Sequence, residues 1–137
     1  MSENLPLGLL IDFYHGAYGP TIRIGVLNLE SARELWKIFK ALAQGDLREV
    51  KLEKMPQTTV VGLRSFVLEL IPDEAEDEKK LSLSNDREPS VRWKGSDEGW
   101  AVCAGLVEFF VENDLSGHQY LTEEGVDDAL VEVSYKE

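Results

Sequence analysis

The chain has 137 residues, 43% of them apolar, and a formal net charge of −12. That is the size of one ordinary domain, able to bury about two-thirds of the surface an unfolded chain exposes. No apolar run approaches the roughly 18 residues that suggest a membrane span, and so negative a field repels phosphate backbones and anionic lipids. Neither a membrane nor a nucleic acid is therefore an expected partner.

The opening "MSENLPLGLLIDF" has no basic region, and Asp12 interrupts its apolar stretch, so no signal or transit peptide is expected. With one cysteine no intrachain disulfide can form, and the expected compartment is the cytoplasm. "GLLIDFYHG" and "PTIRIGVLN" read as strands joined through "HGAYG", because Ile22, Ile24 and Val26 alternate with Thr21, Arg23 and Gly25. A helix follows, capped by Asn28 or Ser31 and ended by Gly45. Ala32, Leu35, Trp36, Phe39, Leu42 and Ala43 share one of its faces, with Arg33, Lys37 and Lys40 on the other. "REVKLEK" and "TTVVGLRSFVLELI" read as two more strands.

Pro72 stops the last of these, and five of the six residues 73–78 are acidic, which argues for an exposed connector. Beyond it "KKLSLS" and "PSVRWK" suggest a hairpin, Ser96 or Asp97 caps a second helix, and "HQYLT" and "ALVEVSY" close the chain as strands. The apolar face of the second helix, Trp100, Cys103, Ala104, Val107, Phe110 and Val111, repeats the first at an offset of 68. "PTIRI" and "PSVRW" correspond at an offset of 69. Two arrangements fit this order: an internal ββαββ duplication with halves 5–72 and 79–137, or unrelated halves of similar composition. Half a chain would leave sheet surface in water, so one domain over residues 1–137 with a joint core is expected. The expected class is α+β, with up to eight mainly antiparallel strands and two helices on sheet faces.

Charge is unevenly placed. Residues 1–72 hold eight acidic and eight basic side chains; residues 94–137 hold eleven acidic groups against Lys94 and Lys136. Such an asymmetry either confers solubility alone or favours encounter with a basic protein.

Catalytic signatures are sparse. The chain has no G-x-S-x-G, phosphate loop, H-E-x-x-H, C-x-x-C or EF-hand pattern. Cys103 falls on the apolar helix face and reads as a small hydrophobe. His15 and His118 are the neutral-pH acid–base candidates; with Asp12 or Asp127 they would suit a metal-dependent or histidine–carboxylate hydrolase if the fold brought them together. Trp93 and Trp100 in "RWKGSDEGW" are expected in the core. No cofactor or metal site is expected.

The spacing W-x6-W, then "GHQYL" and a terminal "DDALVEVSY", resembles small bacterial proteins akin to the immunity proteins of polymorphic toxins, mainly over residues 89–135. The resemblance implies a non-catalytic domain that masks one toxin, commonly through an acidic surface against a basic nuclease. On this reading the chain is an acidic protein-binding module. Its expected partner-facing residues are Glu123, Glu124, Asp127 and Asp128, exposed around Gly125, with Glu108 and Glu112 on the second helix next. His118, Tyr120, Val131, Val133 and Tyr135 would hold that edge in place.

Overall fold

The computed structural model describes residues 8–72, 80–122 and 127–137. Strands β1 (Leu9–Gly16) and β2 (Gly19–Val26) form a hairpin, followed by helix α1 (Leu29–Gln44), β3 (Glu49–Lys51), a 3-10 turn at Leu52–Lys54, β4 (Thr58–Val61) and β5 (Ser65–Leu70). The second half supplies β6 (Leu81–Leu83), β7 (Ser90–Gly95), helix α2 (Asp97–Asn113), β8 (Gly117–Tyr120) and β9 (Leu130–Tyr135). The class is α+β, with nine strands among the described residues where up to eight were expected. The extra one arises because "TTVVGLRSFVLELI" does not run through. Gly62 takes φ 81°, a left-handed conformation that other residues resist, and it separates β4 from β5. Among the described residues no helix is long and apolar enough to cross a membrane.

The strands form two mixed sheets, β4-β1-β2-β9-β8 and β3-β5-β7-β6. Their shared part has one pattern. In the order β1-β2-β9-β8 the pairings run antiparallel, parallel, antiparallel, and in the order β6-β7-β5-β3 they run the same way. Each half therefore lends its last strand to the other half's hairpin: β9 lies parallel to β2, and β5 parallel to β7. Arg23 sits opposite Glu132 on β9, and Arg92, 69 residues later, sits opposite Val67 on β5. The caps follow suit. Asn28 Oδ1 accepts from the Ser31 N–H at 2.8 Å, and 68 residues later Ser96 Oγ accepts from the Gly99 N–H at 3.2 Å. β4, added to β1 in parallel, is the departure from this correspondence.

Strand exchange explains the joint core. The buried apolar cluster takes Ile11, Ile24 and Val133 from the first sheet, Phe66, Leu68 and Trp93 from the second, and Leu35, Phe39, Val107 and Phe110 from the helices. Phe39 stacks on Trp100 at 5.7 Å and meets Trp93 edge-on at 6.0 Å, while Phe110 packs against Tyr135 of β9 at 5.4 Å. Both indoles are buried, as their sequence positions predict. Trp100 is also held by its own N–H, which donates to the Glu69 carbonyl at 3.2 Å. Its ring lies so close to Gly95 that a Cβ there would sit 2.9 Å from the indole, which is why β7 ends on a glycine. Burying a phenyl ring such as that of Phe39 is worth roughly 1.5–3 kcal/mol.

Candidate functional site

Helix α1 follows the usual amphipathic plan, with Arg33, Glu34, Lys37 and Lys40 exposed and Leu35, Phe39 and Leu42 buried. Helix α2 does not. Its inner face carries Trp100, Cys103, Ala104, Val107 and Phe110, yet its outer face is also apolar: Val102 is 60% and Phe109 49% exposed, with Leu106 half-buried between them. Positions 102, 106 and 109 follow the i, i+4, i+7 spacing that lines side chains into one stripe. A helix that is apolar all round is ordinarily buried all round, and exposed contiguous apolar surface marks an interaction site.

Carboxylates flank this stripe. Glu98 and Glu112 are exposed, and Glu108 is half-buried where α2 meets α1. The Trp36 indole N–H donates to Glu108 Oε1 at 3.2 Å, and Lys40 Nζ lies 4.6 Å from the centroid of the same ring. Glu112 follows one helical turn beyond Glu108. The neighbouring Glu108 carboxyl, which favours a proton on Glu112 and repels its negative charge, holds the Glu112 carboxyl above its ordinary range. Two like charges at i, i+4 destabilise a helix, so this pair works against folding.

Both ends of α2 are fixed. Ser96 caps its start, and at its end Asp114 adopts a left-handed conformation with φ 49°. The Asp114 carboxylate accepts from Lys136 Nζ at 2.8 Å and from the Tyr135 hydroxyl, and these bonds hold it below the usual carboxylate range. The outer stripe is thus presented on a helix anchored to β9.

The expected loop site is distributed differently. Glu123 and Glu124 lie outside the described residues. Asp127 and Asp128 are half-buried, not exposed, because their carboxylates serve the backbone of β6. Asp127 Oδ1 accepts from the N–H groups of Lys80 and Leu81 at 2.7 and 3.0 Å, and Asp128 Oδ2 from that of Leu83 at 2.9 Å. They clasp the approach to β9 onto the edge strand of the other sheet. Val131, Val133 and Tyr135 are buried, while His118 and Tyr120 are exposed.

The histidines do not converge. His15 shares its strand face with Ile11 and Phe13, which pack into or against the core. His118 sits opposite Ser134, whose neighbours Val133 and Tyr135 point to the core, so it lies on the outer face of the same sheet. Its Nδ1 is 3.2 Å from the Glu137 carboxylate. Asp12 is committed to Arg23 by two hydrogen bonds of 3.0 and 2.8 Å. Among the described residues no group of three histidine, cysteine or acidic side chains could hold a metal ion.

On that outer face sequence reasoning missed a polar row. Val61, Asp12, Arg23, Glu132 and Tyr120 are successive cross-strand neighbours, and Tyr14 donates its hydroxyl to Glu132 at 2.8 Å. Burial, with the Glu132 hydrogen bond and charge, pushes the Tyr14 hydroxyl up to about 12. The signal was the break in "LVEVSY", where Glu132 stands in a strand buried on both faces. Compared with known protein families, curated proteins and solved structures, the chain matches none.

Proposed function

We propose that the chain is a non-catalytic protein-binding module whose outer α2 face receives a basic partner, and that the partner is a toxin which this module neutralises as an immunity protein. The observation that carries the reading is the juxtaposition on one helix of an exposed apolar stripe, Val102, Leu106 and Phe109, with the mutually repelling carboxylates of Glu108 and Glu112. Apolar area supplies affinity, and negative charge selects and steers a cationic surface. A partner's arginine or lysine placed between Glu108 and Glu112 would turn their repulsion into attraction. The eleven acidic groups of residues 94–137 support the same partner chemistry at longer range.

The toxin assignment rests on the resemblance of residues 89–135 and on this partner chemistry. Its test is to co-express the chain with the protein encoded immediately beside it. A basic, growth-inhibiting neighbour whose toxicity is relieved by the chain, but not by a Val102→Ser/Phe109→Ser variant, supports the reading. A neighbour that is not toxic, or relief that survives loss of the stripe, overturns it.

A further inference from the structure

The shared strand order lets the outer faces of the two sheets be compared position by position, and one of their differences leaves a space. In the first sheet Arg23 lies between Asp12 on β1 and Glu132 on β9; in the second, Arg92 lies between Ser82 on β6 and Val67 on β5. Two residues beyond Asp12 is Tyr14, opposite Thr21. Two residues beyond Ser82 is Ser84, whose N–H bonds to the Ser90 carbonyl at 2.9 Å. Leu130 beside Thr21 likewise corresponds to Ser65 beside Ser90.

The first sheet fills this spot with the Tyr14 ring, which lies 5.4 Å beneath the Arg23 guanidinium carbon. The second leaves it open, as a depression of about 270 Å³ lined chiefly by Ser65, Val67, Ser82, Ser84, Ser90 and Arg92. We propose that this depression binds an aromatic side chain of a partner protein, seated as Tyr14 is seated in the first sheet.

Size and chemistry agree on that occupant. Sites for drug-sized molecules and cofactors occupy roughly 300–1,000 Å³, so a shallow space below that range suits a single ring. Arg92 lines the depression and is held by Glu69 at 2.6 Å and Glu49 at 3.5 Å on its β5 and β3 side, whereas Arg23 is held by Asp12 on the strand that also carries Tyr14. The first sheet shows that a guanidinium bound to a carboxylate still lies over a ring. Val67 in place of Glu132 gives the depression an apolar floor, which takes a phenyl ring without requiring a hydroxyl. The Ser84 hydroxyl already donates to Asp86 and accepts from the Ser90 N–H, both at 2.8 Å, which leaves the hydroxyls of Ser65, Ser82 and Ser90 to hydrogen-bond that of a tyrosine. Aliphatic side chains have no π face for Arg92. The inference rests on the comparison of the two sheets and is independent of the α2 reading.

The test is a titration of the full chain, followed by backbone amide NMR, with N-acetyl-tyrosinamide, N-acetyl-phenylalaninamide and N-acetyl-leucinamide. Both aromatic probes are expected to give saturable shifts centred on Ser65, Ser82, Ser84, Ser90 and Arg92, with dissociation constants on the order of millimolar for so few atoms. The leucine probe is expected to bind several-fold more weakly. Ser84→Tyr places the first sheet's own side chain in the depression and should abolish the shifts in a folded protein. Arg92→Leu, which removes the guanidinium at the rim of the depression, should reduce the shifts from both aromatic probes to the level of the leucine probe should the first variant not fold. Absence of saturable shifts with both aromatic probes, equal binding of the leucine probe, or aromatic-probe shifts that persist undiminished in a folded variant would overturn the inference.

Discussion

The indole N–H of Trp36 on α1 donates to Glu108 on α2 at 3.2 Å, so a tryptophan on one helix fixes one member of the repelling Glu108–Glu112 pair on the other. Trp36→Phe keeps most of the ring's packing and removes that donor. A neutral hydrogen bond replaced in this way changes stability by about 0.5–1.5 kcal/mol, and one to a charged group by more. Chemical denaturation should show a loss in that range, together with slower or weaker binding of the basic partner as Glu108 loses its fixed position.

The pair also sets a pH dependence. A carboxyl raised in the folded state favours folding when protonated, and that contribution is lost as pH rises through the raised value. The repulsive penalty is thus absent well below the usual glutamate range and fully present above the raised value. Glu112→Gln is expected to unfold at higher denaturant than wild type at pH 7, with the difference shrinking in acid. A wild-type advantage at pH 7 would show that the two carboxylates do not repel.

Asp127 and Asp128 act on folding. Asp127→Ala leaves two backbone N–H groups of the β6 edge without their acceptor, and Asp128→Ala one. Each unsatisfied group costs on the order of 1–3 kcal/mol where it is shielded from water. Denaturation midpoints should fall for both, more for Asp127→Ala. Changes below about 0.5 kcal/mol at both would return them to the exposed, solvated role first expected.

Tyr14 gives a spectroscopic handle on the first sheet. With its hydroxyl pushed up to about 12, stability from the Tyr14–Glu132 bond is fully present below the ordinary tyrosine value and is lost as pH rises through about 12. An ultraviolet titration of wild type should show one tyrosine ionising last, and Tyr14→Phe should remove that final step. The same variant strips the donor from Glu132, which is 7% exposed, and should lower stability by roughly 1–3 kcal/mol.

Local periodicity made much of this fold legible. The apolar faces of both helices, the caps at Asn28 and Ser96, and burial of Trp93, Trp100 and Cys103 follow from spacing and side-chain chemistry alone. Strand exchange was not legible, because alternation in β5 and β9 states which face is buried and nothing about the neighbouring strand. The exposed residues Val102 and Phe109 were visible as apolar positions on the outward side of α2, yet only burial shows that nothing within the described chain covers them. For Asp127 and Asp128 the cluster of charges suggested solvent. Their partners are backbone groups some 45 residues away, and composition holds no record of such bonds.

The most direct test of the α2 assignment is the association rate of the purified chain with the basic protein encoded beside it, for wild type and Glu108→Gln/Glu112→Gln, at low and high salt. Steering by exposed charge acts over about a Debye length, roughly 10 Å at 0.1 M salt and 3 Å at 1 M. The account predicts that the double variant associates several-fold more slowly at low salt and that the two rates converge as salt rises. Equal rates at low salt would contradict it.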